Sequence, residues 1–240
     1  FPTRRSSDLY LAEFLGTTLL VLLGDAVVAN LALSKTKSTG AGWLAITIGW
    51  AMAVAIPVWI FGPISGGHFN PAFTIAFAVI GIFPWNHVLG YVVAQMLGGV
   101  LGGILVYINF RLHFDATEDA NTKRDVFCTS PAISDTFSNF LQEFIATFVL
   151  VFAVLGFANS KPVSGLSPLI VGGIILAMGL AFGGTTGYAM NPARDLGPRI
   201  AHFLMPIKNK EGSNWWYAWI PVVGPICGAI VAAVFFKIIF

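Results

Sequence analysis

Charge is scarce in this chain. Only 10% of its 240 residues are Asp, Glu, Lys or Arg, where a soluble domain carries about 25%. With 56% hydrophobic residues and a mean hydropathy of +0.80, the shortage excludes an ordinary water-soluble domain and places the chain in a membrane. Thirteen cations against eleven anions leave a formal charge of +2 and no basic stripe, so no nucleic-acid partner is expected. Cysteine is nearly absent: Cys128 in a polar connection and Cys227 in the last apolar run are too few for a disulfide framework. His68, His87, His113 and His202 form no metal-ligand spacing, and no Ser or Cys sits beside a plausible base. Neither a metal nor a cofactor is expected, and an intramembrane enzyme has no support.

What the chain has in abundance is long apolar runs. Crossing a bilayer takes about 20 such residues, and six runs qualify: Leu9–Leu33, Trp43–Ile64, His87–Phe110, Phe140–Asn159, Ser167–Gly184 and Trp215–Phe240. The predicted fold class is an all-α membrane protein. Residues 1–8, Phe1-Pro2-Thr3-Arg4-Arg5-Ser6-Ser7-Asp8, are polar, lack an initiator Met and read as adapter or cloning residue outside the fold. The first apolar run is long enough to span and has no small-residue cleavage site, so insertion through the chain's own helices is expected.

The chain repeats itself. Leu11-Ala12-Glu13-Phe14-Leu15-Gly16-Thr17 opens the first run and Leu141-Gln142-Glu143-Phe144-Ile145-Ala146-Thr147 the fourth, 141 − 11 = 130 residues later. Asn-Pro-Ala occurs at Asn70-Pro71-Ala72 and at Asn191-Pro192-Ala193, 191 − 70 = 121 apart. From ordinary residue usage, two chance copies belong to roughly one such sequence per thousand. Gly-rich loops precede both, Ser65-Gly66-Gly67-His68-Phe69 and Thr186-Gly187-Tyr188-Ala189-Met190. Residues 9–110 and 139–240 are therefore two repeats of three spans and one Asn-Pro-Ala segment, joined by a polar connection at 111–138. Three spans is an odd number, so the second repeat enters the membrane from the opposite side, as an inverted repeat.

Each tripeptide starts a helix, with Asn as N-cap and Pro in the first turn, where its missing N–H costs nothing. The apolar run Ala72–Phe83 gives roughly 18 Å of helix, too short for a bilayer core of about 30 Å, so it dips in without spanning. Ala193–Leu204 is similar in length and more polar. Inversion points the two N-termini at each other near the midplane, and each carries part of a positive charge. Irregular backbone at that depth is tolerated only along a water-filled path or inside protein. Gly66, Gly67 and His68, with Gly187, Tyr188 and Ala189, are thus expected to present carbonyl acceptors along a pore. The amides of Asn70 and Asn191 add donors at its centre, and the facing helix ends reject cations and protons.

Over Leu9–Phe240 these residues resemble the major intrinsic protein family of aquaporins and glycerol facilitators. Asn191-Pro192-Ala193-Arg194-Asp195, with Asp after the Arg, is similar to the aquaglyceroporin branch. The resemblance implies six transmembrane helices plus two re-entrant half-helices, a multi-pass protein of the cell membrane, and a homotetramer with one conduit per subunit. It implies passive passage of glycerol, related small polyols and water. Family spacing implies a selectivity filter of Trp50, Gly179, Tyr188 and Arg194. Arg194 offers a rigid fork to neighbouring hydroxyls, Trp50 and Tyr188 form an apolar corner, and Gly179 leaves open the wall where water-selective members carry His. Tyr188 stands where Phe is usual, and its hydroxyl either narrows the filter or adds a hydrogen bond. The resemblance also implies that Glu13 and Glu143 are buried acceptors for loop N–H groups.

Each residue has a plainer reading. Arg at the centre of a membrane helix costs about 2.5–3.5 kcal/mol on insertion scales, which favours function over packing for Arg194. Trp50 alone would be a packing residue, and only its spacing from Asn70 raises it. Asp195 is expected to tie down loop backbone and His68 to pack its ring, while Asp25 has no assigned partner. One observation opposes the family orientation. With both termini inside, the outer connections carry Lys35, Lys37, Arg111, Lys123, Arg124, Lys208 and Lys210, against Lys161, Lys237, Arg4 and Arg5 within. The positive-inside rule points the other way. A coupled secondary transporter remains the alternative, since inverted repeats with broken helices also describe that class.

Overall fold

The computed structural model describes residues 5–160 and 165–240. Among them are nine helices and no strand. Six are long and apolar enough to cross a membrane: α1 (Ser6–Ala32), α2 (Trp43–Ser65), α4 (Trp85–Ala116), α6 (Thr136–Asn159), α7 (Ser167–Thr186) and α9 (Ile220–Ile239). The short ones are α3 (Pro71–Val79), α5 (Ala120–Asp125) and α8 (Pro192–Leu204). Leu44, Leu89, Leu97, Ile108 and Phe235 stand more than a third exposed, a surface suited to lipid and not to water.

Packing follows the repeat. α1 packs on α4 and α2, and α6 in the same way on α9 and α7. The half-helices cross over: α3 packs against α9 of the other half, and α8 against α4. Each half thus lodges its short helix against the last span of its partner, and the two interlock around a shared centre.

Small residues permit that interlock. Gly98 and Gly102 of α4 face α1, where a Cβ would lie 2.4 Å from the Phe14 carbonyl oxygen and 2.7 Å from Val21 Cβ. Gly99 and Gly103 face α8, with Gly99 meeting the Ala193 carbonyl oxygen at 2.3 Å. Backbone cannot move aside as a flexible side chain can, so overpacking here should cost at least about 1–3 kcal/mol. Gly99→Ala is expected to lower the melting temperature of the detergent-solubilised protein, whereas Gly173→Ala, with nothing within 4 Å, should leave it unchanged or higher. Equal melting of the two variants would contradict this account of the α4–α8 seam.

Several boundaries differ from the sequence reading. α4 continues through Arg111–Ala116, helped by the Arg111–Asp115 pair at 3.8 Å and by Phe114 buried on Phe127. The connection contains α5, N-capped by the Asp119 carboxylate, which accepts from Thr122 N at 2.7 Å. α3 stops at Val79 because Gly81 takes φ 85°, a left-handed exit that ends helices. α9 starts at Ile220, with Pro221 in its first turn. Residues 1–4 and Lys161 lie outside the described residues. Ser6, Ser7 and Asp8 lie in the first turn of α1.

Candidate functional site

Two matching loops lead into the half-helices. α2 ends at Gly66 (φ 90°) and α7 at Gly187 (φ 84°), both left-handed caps that glycine adopts without penalty. Further positive φ values recur at equivalent places, 67° at Gly67 and 40° at Tyr188, then 47° at Phe69 and 48° at Met190. Side chains held in that region cost about 1–3 kcal/mol each and persist only when their surroundings hold them. Two fully buried carboxylates do so. Glu13 on α1 accepts from His68 N at 3.1 Å, Phe69 N at 2.7 Å, the Ser65 hydroxyl at 2.6 Å and Gln95 Nε2 at 2.7 Å. Glu143 on α6 accepts from Ala189 N at 3.0 Å, Met190 N at 2.9 Å and the Thr186 hydroxyl at 2.7 Å.

At the loop ends the two asparagines act alike. The Asn70 side-chain oxygen caps α3 by accepting from Ala72 N at 2.9 Å, and that of Asn191 caps α8 through Ala193 N at 2.9 Å and Arg194 N at 3.2 Å. Their amide nitrogens reach across. Asn70 Nδ2 donates to the Met190 carbonyl at 2.9 Å, and Asn191 Nδ2 to the Phe69 carbonyl at 2.8 Å. These reciprocal bonds set the N-termini of α3 and α8 head to head. An amide nitrogen has two donors, so one on each Asn remains for the space it borders.

That space is a cavity of about 160 Å³. A water needs about 10–15 Å³ of such room, so the cavity admits a file of waters or a small solute. Gly66, Gly67, His68, Phe69 and Asn70 line it from one loop, and Tyr188 through Asn191 from the other. Leu20, Val54, Val58, Leu150, Val154 and Ile175 form apolar walls. Pro71, Ala72, Pro192 and Ala193 are buried in the first turns of the half-helices and do not line it. The His68 ring turns away onto Phe77, Phe83 and Tyr91, with Nδ1 3.0 Å from the Thr74 hydroxyl.

At one end Arg194 and Trp50 come together, the guanidinium carbon 4.0 Å from the indole centroid. Tyr188 lies beside them, only 5% exposed. Gly179 is not on the lining, and the wall expected to stand open there is occupied by Tyr188. A Cβ on Gly179 would be 3.0 Å from both Cζ and the hydroxyl oxygen of that ring. The hydroxyl is buried and has no hydrogen-bond partner in this structure. Gly187 is also off the lining, packed on Thr129.

Asp195 reaches away from the cavity. Its Oδ2 accepts from Thr129 N at 2.7 Å and from the Thr129 hydroxyl at 2.6 Å, and its Oδ1 pairs with Arg199 at 2.7 Å. Arg199, fully buried, donates onward to the carbonyls of Ser213 at 2.7 Å and Thr129 at 3.0 Å. The cluster ties α8 to the connection before α6. Arg199 was legible as the i+4 partner of Asp195; Thr129, far away in sequence, carried no local signal. Asp25, unassigned from sequence, lies 3.7 Å from Arg194 Nη1.

Comparison with known proteins agrees with this architecture. The family model described as Major intrinsic protein matches residues 3–236. A probable glycerol uptake facilitator protein of Thermotoga maritima is 50% identical over 97% of this chain and 100% of its own length. Glycerol uptake facilitator protein 3 of Lactiplantibacillus plantarum is 49% identical over 95% of each chain. Among solved structures, the aquaglyceroporin from Plasmodium falciparum superposes with a TM-score of 0.86 at 31% identity, covering 98% of this chain and 97% of that one. A multi-pass bundle of six spans and two opposed half-helices, matched by that family model over nearly its whole length, belongs to the major intrinsic protein family.

Proposed function

We infer that the protein is a passive channel of the cell membrane for glycerol, related small polyols and water, excluding protons and ions and carrying out no covalent chemistry. The observation that carries this reading is the pair of reciprocal Asn bonds, Asn70 to Met190 and Asn191 to Phe69. They fix two positive helix ends on the wall of a cavity with one polar strip and otherwise apolar sides. A cation there meets both helix ends. A neutral hydroxylated solute finds loop acceptors and two amide donors along the strip, and places its carbons on the apolar walls. The relatives' names, glycerol uptake facilitators, support the choice of solute.

Trp50, Gly179, Tyr188 and Arg194 form the filter in this reading, with Gly66, Gly67, His68, Tyr188 and Ala189 as the acceptor loops. Gly179 acts by admitting the Tyr188 ring to its surface. Gly179→His should drive that ring into the constriction and depress glycerol flux more than water flux, read by stopped-flow swelling of proteoliposomes. Equal losses would contradict this role for Gly179 behind the Tyr188 ring. Glu13, Glu143 and Asp195 support the loops. Residues 9–110 and 139–240 are the two repeats and 111–138 the connection, in a homotetramer with one conduit per subunit. Vesicles that swell in an osmotic glycerol gradient without turnover of any substrate test the function; no swelling above protein-free vesicles would overturn it.

A further inference from the structure

Asp25 sits on α1, about 18 Å further along the helix than Glu13 at 1.5 Å per residue. Its carboxylate is fully buried, and neither oxygen has a hydrogen-bond partner. Facing it at 3.7 Å is Arg194 Nη1, equally buried and equally without a hydrogen bond. That separation exceeds a hydrogen bond, so the two are joined by charge, and removing either would leave an uncompensated buried ion. Among the described residues no other carboxylate pairs with Arg194, and the neighbouring Asp195 is already held by Arg199 and Thr129. Gly24 brings α1 close enough: a Cβ there would lie 2.3 Å from the Trp50 ring, and the same indole carries the Arg194 guanidinium.

The repeat sharpens the point. The offset that maps Glu13 onto Glu143 maps Asp25 onto Leu155, and the offset between the two asparagines maps Arg194 onto Phe73. Where the second half carries the cation, the first half carries the anion that faces it. At the symmetry-related place both are apolar.

We propose that Asp25 is a positioning residue that sets selectivity, holding Arg194 back against Trp50 and offsetting its charge so that the constriction stays wide enough for a polyol. This deepens the conduit reading above and rests on it. The test is stopped-flow permeability of proteoliposomes to water, glycerol and urea for the wild type, Asp25→Asn and Asp25→Glu. Asp25→Asn, which keeps the shape and removes the charge, should cut glycerol flux about fivefold or more while water flux changes less than twofold. Asp25→Glu should restore the glycerol-to-water ratio to within about twofold of wild type. Water flux reports folded protein, so proportional loss of all fluxes, or an unchanged ratio in Asp25→Asn, would overturn the proposal. Wild-type flux of glycerol judges the conduit reading separately. The change on substitution, read on whichever solutes the wild type passes, judges Asp25.

Discussion

Glu143→Ala should abolish the folded channel. The carboxylate is fully buried and accepts from Thr186, Ala189 and Met190. Truncation would strand all three donors, at about 1–3 kcal/mol each. It would also release a loop in which Tyr188 and Met190 sit at φ 40° and 48°, conformations that need external restraint. The sum approaches the roughly 5–15 kcal/mol that separates a folded domain from its unfolded chain. The expected result is loss of monodisperse protein after solubilisation and of glycerol flux in whatever is recovered. Glu143→Gln keeps one carbonyl oxygen but turns an amide nitrogen toward N–H donors, so it should fall in between. Glu13→Ala, through the same geometry in the other half, should behave like Glu143→Ala. Wild-type melting of either alanine variant would contradict the role given to these carboxylates.

Arg194→Ala should open the constriction to cations and protons. The substitution removes the guanidinium from Trp50 and leaves Asp25 buried beside the conduit without its counter-charge. Two unit charges 4 Å apart interact by about 4 kcal/mol at an effective dielectric of 20. Losing the fixed positive charge therefore lowers the barrier to a cation, with the two helix ends still opposing it. Proton entry into vesicles loaded with a pH-sensitive dye, under a potassium diffusion potential, should rise at least about tenfold, which corresponds to about 1.4 kcal/mol. The double variant Asp25→Asn with Arg194→Ala should leak less than Arg194→Ala alone. Unchanged proton exclusion in Arg194→Ala would count against the filter role.

Much of this architecture was legible because its signals are local. The duplicated Asn-Pro-Ala gives cap and first turn within three residues, and the matching Glu-Phe openings give the repeat. Less legible were features that depend on backbone dihedrals or on distant partners. Hydropathy extends the first half-helix to Phe83, but φ 85° at Gly81 ends it sooner. Gly179 reads as an open wall until the Tyr188 ring is found against it. Asp25 and Arg194 lie in opposite halves of the chain, and no spacing rule joins them.

Two of the cations in that adverse loop count, Lys123 and Lys210, hold backbone carbonyls of the folded protein. Lys123 is 1% exposed and donates to the Lys208 carbonyl at 2.6 Å. Lys210 donates to the carbonyls of His202, Phe203 and Met205, the unsatisfied end of α8, where a cation is favoured. Lys210 is committed to the end of α8 and Lys123 to the turn beyond it, which a tally of loop residues cannot register.

On the proposed function, two opposed helix ends, locked together by Asn70 and Asn191, border a path open to neutral solutes and closed to charge. The most direct measurement is glycerol entry into proteoliposomes over a wide range of gradients, with internal pH followed at the same time under an imposed membrane potential. Entry is expected to rise in proportion to the gradient, to be indifferent to the proton gradient, and to bring no protons with it. Entry that saturates, or that stops when the proton gradient is collapsed, would contradict it and favour a coupled transporter.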